Sequence, residues 1–312
     1  MIALYICLGI LGAFILFGVI PTLLISNIIY TVLFVRNKPD KWSRGVSWDD
    51  EEQQRMFDEG EKWGQDNEVY RKEVSIVSEK FKLVGEYFDF GFKKAVIVIP
   101  GRMEAGTYSY YFSNAYKESG YNVLAIDNRS HGLSEGRYNT IGIKEYKDIL
   151  NWAKYLHDEL GVETIFIHGI CIGSATAIYA LTSEDCPDYV VGMAADGMYL
   201  DFHESLANHL IERKKPLFPF MLEIMGMMRI VSGRSAKKFS PINVMPTLKK
   251  PILFIYSKED TYSRNGHLLY DTCVAPKHIE WFDHGAHSHV RINAPEKYDA
   301  TISKFLKDFI HE

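Results

Sequence analysis

Short β-rich runs alternating with stretches of helical periodicity predict an α/β protein with a mostly parallel sheet, carried behind an N-terminal transmembrane helix. Three observations lead there. Ile2 to Val35 holds no charged residue. A series of β-branched or apolar runs follows, several of them continuously apolar, as strands buried on both faces are. One run, Thr164-Ile-Phe-Ile-His, leads directly into Gly169-Ile-Cys-Ile-Gly173 and then a helical stretch.

The amino-terminal run, residues 1–35, exceeds the roughly 20 residues that a membrane helix needs. It lacks the basic start and small-residue cleavage site of a secretory signal, so a retained anchor is expected. Pro21 can kink it. Arg36, Lys38, Lys41 and Arg44 follow the span and no Lys or Arg precedes it. The positive-inside rule then expects a single-pass protein of the cell membrane with its catalytic domain in the cytoplasm. Residues 36–70 read as a polar tether in which Ser47 caps a short helix, with Asp50 at the capping-box position. Trp42 and Trp48 suit either lipid headgroups or docking onto the domain. A chain beginning near residue 68 is expected to be soluble and folded.

In residues 71–312, Val74–Val77 and Leu83–Phe88 read as an antiparallel opening pair. Ala95–Ile99, Asn122–Ile126, Thr164–His168, Val190–Ala194, Ile252–Tyr256 and His278–Trp281 read as further strands. Tyr146, Ile149, Leu150 and Ala153 share one helix face, as do Ile302, Phe305, Leu306 and Phe309. From about residue 199 to 245 no strand pattern occurs, and Leu206, Leu210, Phe218, Phe220, Met221, Met225, Met227 and Met228 suggest an inserted helical lid. Its methionines fit an adaptable acyl pocket or ordinary helix packing equally well.

Composition narrows the function. The chain has 312 residues, 47% hydrophobic and 24% charged, the balance of one large globular domain with an appendage. A net charge of −5 and the lack of a basic stripe exclude nucleic acid as the expected partner. Cys7, Cys171, Cys186 and Cys273 lack the spacing of a zinc site or small disulfide framework and read as free thiols.

Gly169-x-Cys171-x-Gly173 between a strand and a helix has the form of a nucleophile elbow: small residues flank a side chain projected from a sharp turn. Cys171, Asp260 and His287 follow in the order nucleophile, acid, histidine. Glu259 is the rival acid, and Ser174, on the helix beyond the elbow, is a poor substitute nucleophile. His284, His287 and His289 cluster in sequence without acidic or cysteine partners at a metal-site spacing, so no metal is assigned.

Over residues 72 to 310 these features resemble the α/β-hydrolase superfamily. Pro100-Gly101-Arg102 resembles its oxyanion loop, which implies that the backbone N–H groups of Arg102 and Ile172 face the reacting oxygen. Asp127-Asn-Arg-Ser-His-Gly-Leu-Ser-Glu-Gly136 is similar to the D-x-R-x-H-G-x-S-x-G loop of the monoacylglycerol-lipase-like and serine-aminopeptidase-like branch. Arg129 and His131 are expected to hold this loop's backbone. Ile252 to Asp260 resembles the strand and turn of the family's acid, and Gly285-Ala-His287-Ser its histidine loop. Cys171 departs from the usual serine, as in dienelactone-hydrolase-like enzymes and polyhydroxyalkanoate synthases.

The expected activity is hydrolysis of carboxylic esters or thioesters through a Cys171-His287-Asp260 triad and an acyl-enzyme, with no cofactor and no metal. The substrate class is a small-molecule or lipid-like acyl compound at the membrane. Acyl transfer and a non-catalytic, membrane-tethered binding protein with the same fold are the alternatives. Acyl group, leaving group and oligomeric state have no signature in the sequence.

Overall fold

The computed structural model describes residues 1–45 and 50–310. Eight strands form one sheet: β1 (Arg71–Ser78), β2 (Phe81–Phe88), β3 (Lys94–Ile99), β4 (Tyr121–Ile126), β5 (Thr164–Ile170), β6 (Val190–Asp196), β7 (Ile252–Ser257) and β8 (Lys277–Phe282). Their order is β1-β2-β4-β3-β5-β6-β7-β8. β1 to β2 and β2 to β4 are antiparallel, and every later pair is parallel. The sequence pattern anticipates all eight strands within a few residues at each end, because the central ones are unbroken apolar runs buried on both faces. This is the α/β-hydrolase fold.

Helices cover both faces of the sheet. Tyr146–Asp158 and Ile172–Leu181 pack with Ile97, Ile167 and Phe254 on one side. Asn114–Glu118 and Pro295–Phe309 pack with Val98, Phe166 and Ile255 on the other. The expected faces Tyr146, Ile149 and Ala153, and Ile302, Phe305 and Leu306, are buried there. The strand-free stretch carries the helices Phe202–Glu212 and Phe220–Ser232.

The amino-terminal helix runs from Ile2 to Phe34 and is apolar and long enough to cross a membrane. Its first part has its large apolar side chains exposed, from Ile2 through Ile25. At about 1.5 Å per residue that portion alone matches the ~30 Å hydrocarbon core. Its last turns are docked on the sheet domain instead. Tyr30, Leu33, Phe34 and Val35 join the buried core, and Phe34 meets Phe202 edge-on with ring centroids 5.4 Å apart. Thr22 and Ser26 donate hydrogen bonds of 2.8 and 2.6 Å to Glu223 of the second lid helix. Lys41 closes the helix by donating to the carbonyls of Thr31, Val32 and Val35.

The tether is equally integrated. Ser47 and Trp48 lie outside the described residues. Asp50 itself caps the helix Glu51–Asp66, accepting from the Gln53 N–H at 2.8 Å. That helix is pressed so closely on the domain that a Cβ at Gly60 would lie 2.9 Å from the Tyr111 nitrogen. Trp42 stacks on His131 with centroids 4.5 Å apart, so it docks on the domain.

A chain beginning near residue 68 therefore lacks core side chains, contrary to the expectation from the tether's polarity. Circular dichroism should show a cooperative thermal transition for a chain starting at Thr22 and a much weakened one for a chain starting at residue 68. Phe34→Ala should lower stability by about 3 to 5 kcal/mol. Equal melting of the two shortened chains would contradict the docking of these turns.

Candidate active site

The site forms at the carboxyl ends of the central parallel strands, where loops from successive strands converge. Cys171 follows β5 directly and precedes the helix Ile172–Leu181 with φ 53° and ψ −111°. A β-carbon residue at positive φ stores roughly 1 to 3 kcal/mol and persists only where its surroundings enforce it. Here they do. The Cys171 N–H donates to the Asp196 carbonyl at 2.8 Å, and the Ser174 N–H donates to the Cys171 carbonyl at 3.1 Å. The Ser174 hydroxyl donates to the Gly169 carbonyl at 2.6 Å, which commits it to the backbone. A Cβ at Gly169 would stand 2.4 Å from the Gly173 carbonyl, and one at Gly173 would stand 2.2 Å from the Ile99 carbonyl oxygen. Both glycines are thus required by close backbone approach.

Asp260 follows β7 and His287 follows β8. The His287 Nδ1 lies 3.2 Å from each oxygen of the buried Asp260 carboxylate. The Tyr262 N–H donates to Asp260 at 2.7 Å and fixes its orientation. Glu259 faces elsewhere: it accepts from the Gly285 N–H and pairs with His284, each at 3.0 Å. His289 pairs with Glu52 at 2.9 Å, so the three imidazoles at 284, 287 and 289 address three separate carboxylates. The His287 Nε2 is buried, and beyond Asp260 the imidazole interacts with the Cys171 side chain. Cys171, Ile172, Tyr262 and His287 line one cavity of about 240 Å³ together with Phe34, Phe202 and Arg102. Burial alone lowers the His287 pKa, yet the nearby Cys171 sulfur and the Asp260 carboxylate outweigh it and hold the imidazole well above its ordinary range.

The turn at Gly101 and Arg102 is pinned from three sides. The Gly101 N–H donates to Glu104 at 2.7 Å, Gln53 reaches the other Glu104 oxygen at 3.2 Å, and the Arg102 carbonyl lies 2.7 Å from the His131 Nε2. Gly101 therefore has its N–H occupied, and Arg102 is the residue of this turn that lines the cavity. Ile172 opens its helix, where backbone N–H groups have no intrahelical acceptor. The loop from Asp127 to Gly136 is a scaffold: Asp127 accepts from the N–H groups of Gly106 and Leu133, and Arg129 grips Asp148 with two hydrogen bonds. The lid methionines lie away from the cavity, whose lid wall is Phe202, Ser205, Leu206, Asn208 and His209.

Three residues of the site were not anticipated. Glu104 supports the Gly101–Arg102 turn, and burial raises it to about 7. Asp196 ends β6, accepts from the Tyr298 hydroxyl at 2.7 Å, and is likewise raised by burial to about 7. Gly197, at φ +62°, makes room for the imidazole, since a Cβ there would lie 2.7 Å from the His287 Cε1. The available signal was Ala194-Ala-Asp-Gly197, an acid and a glycine ending an apolar strand.

Known proteins agree with this architecture. A family description for the alpha/beta hydrolase fold matches residues 94–230. The uncharacterized protein YqkD of Bacillus subtilis (strain 168) is 29% identical over 200 residues, which are 62% of this chain and 65% of that protein. The Pyrococcus furiosus esterase Pf2001 is 26% identical, with a TM-score of 0.68 over 80% of this chain and 94% of its own. The Pyrococcus horikoshii acylaminoacyl peptidase shares the fold at 22% identity and a TM-score of 0.56, over 78% of this chain and 42% of its own.

Asp196 supplies a pH signature. Its folded pKa, raised to about 7, exceeds that of an unfolded aspartate, so the native state holds the extra proton between pH ~4 and 7. Stability then falls as pH rises through that window, by an amount on the order of a few kcal/mol. Asp196→Asn should flatten this decline in thermal melts taken from pH 5 to 8 (approximately the window set by the linkage). An unaltered pH profile in the variant would show that Asp196 ionises freely.

Proposed function

We propose that this protein is a membrane-anchored hydrolase of carboxylic esters or thioesters that works through Cys171, His287 and Asp260. The observation that carries the reading is His287, whose Nδ1 faces a buried carboxylate while its ring interacts with the Cys171 side chain in the cavity that both line. The likeness to the Pyrococcus furiosus esterase supports the ester class.

The reaction follows from these positions. His287 takes the thiol proton at Nε2 as the Cys171 sulfur bonds to the substrate's carbonyl carbon. The N–H groups of Arg102 and Ile172 stabilise the oxyanion, each by ~3 kcal/mol. Collapse breaks the bond to the leaving alkoxide or thiolate, which His287 protonates. His287 then deprotonates a water that attacks the thioester, releases the acid and restores the thiol. An alcohol or amine in place of water would give acyl transfer by the same steps. Asp260 orients the imidazole and stabilises its charged form.

The exposed apolar stretch from Ile2 through Ile25 supports the anchor, and the Lys and Arg residues after the helix support a cytoplasmic catalytic domain. The full-length chain should stay with membranes through salt and carbonate washes, and its carboxyl terminus should resist protease in intact cells. Release by carbonate would remove the anchor from the proposal; cleavage of the terminus would reverse the orientation.

Cys171 should be the first cysteine alkylated by brief iodoacetamide, as read by peptide mass mapping. It is partly exposed beside a base, whereas burial raises the thiols of Cys186 and Cys273. An activated acyl ester should protect it. Cys171→Ala and His287→Ala should each abolish turnover, and Asp260→Asn should reduce it by about 10² to 10⁴ while Glu259→Gln has little effect. Full turnover in Cys171→Ala would leave a binding protein as the better reading.

A further inference from the structure

The cavity at Cys171 opens beside a second one of about 530 Å³. Leu33, Arg102 and His209 line both spaces. The second is walled by Ile28, Ile29 and Val32 of the membrane helix and by Leu210 of the lid, and it is ringed by Lys41, Arg102, Arg213 and Lys215. Asp40 is the carboxylate on its rim and Glu212 the one on the inner cavity. Among the described residues none of the four cations forms an ion pair. Lys41 is held by helix carbonyls, and Arg102 donates only to the Leu33 carbonyl, at 3.3 Å.

The cations are close enough to oppose one another. Burial and the charge of Arg102 push Lys41 down to about 8, and burial with Arg102 and Arg213 pushes His209 down to about 4. Lys41 and Arg102 are partly buried and Arg213 and Lys215 are exposed at the rim, and positive charge gathered around one space without an ion pair favours an anion there. The inner cavity has apolar walls around Cys171, from Leu33, Phe34, Ile172, Phe202 and Leu206, and suits an acyl group. The outer one combines cations with an apolar wall at the end of the membrane helix, where headgroups lie.

Resting on the hydrolase reading above, we infer that the substrate is an anionic amphiphile: an acyl ester or thioester whose leaving group bears a phosphate or carboxylate, which the outer cavity holds through Arg102, Arg213 and Lys215 while the acyl carbonyl reaches Cys171. Lys41 and the neutral His209 complete the wall. The ligand chemistry is the anionic group together with an alkyl chain.

The test uses full-length protein in neutral detergent. The substrates are 1-octanoylglycerol and its 3-phosphate, both dispersed as monomers, and the variant is Arg213→Ala with Lys215→Ala. Wild type should favour the phosphate ester in kcat/KM by about tenfold, and raised salt should narrow the gap. The double variant should lose the preference through KM and keep its rate on the neutral ester. In a parallel titration of Cys171→Ala, octyl phosphate should bind about tenfold more weakly once the two cations are removed, and octanol should be unaffected. Turnover of both esters without preference would overturn this inference and leave the hydrolase standing. Binding of octyl phosphate with no turnover of either ester would do the reverse. An effect of the double variant confined to vesicle-borne substrate would assign the cations to bilayer headgroups and likewise overturn it.

Discussion

The backbone packing between the end of β5 and the start of its following helix fixes the elbow at Cys171 on which the candidate site is built. Gly169 and Gly173 meet with no space for a β-carbon on either, and Gly173 also lies against the carbonyl of Ile99 on the neighbouring strand. This contact turns the chain sharply enough to hold Cys171 at positive φ and to leave the Ile172 N–H free of an intrahelical acceptor. It also ties the Gly101–Arg102 turn to the elbow, since Ile99 runs directly into Pro100 and Gly101. A shift of either glycine would displace Cys171 and this turn together.

Around this elbow the site is assembled from parts distant in the chain. The amino-terminal helix contributes Leu33 and Phe34 to the cavity wall and the helix Phe202–Glu212 contributes Phe202 and His209, while Trp42 stacks on His131 and Gln53 bonds to Glu104 at the Gly101–Arg102 turn. The contact of Thr22 and Ser26 with Glu223 fixes the amino-terminal helix to the helix Phe220–Ser232 directly.

The electrostatics divide the site in two. On the histidine side, the buried Asp260 carboxylate faces the imidazole, and burial raises Asp196, at the end of β6, to about 7. On the opposite side, Arg102 lies in the wall shared by the two cavities.

The sequence by itself determined the strands, because continuous apolar runs between turn residues leave little choice of element, and it determined the elbow, because glycine, nucleophile and glycine occur at the end of such a run. It also ordered cysteine, acid and histidine along the chain. Tertiary structure alone decided between Asp260 and Glu259, since one residue of register at the end of β7 separates a buried carboxylate from an exposed one. It alone recruited Glu104, Asp196 and Gly197, whose roles arise from burial and from contact with residues far away in sequence. The tether read as polar and separate because its contacts, Gly60 on Tyr111 and Trp42 on His131, join segments more than 50 residues apart. Local pattern records which face of a segment is apolar, and only the fold decides what that face meets.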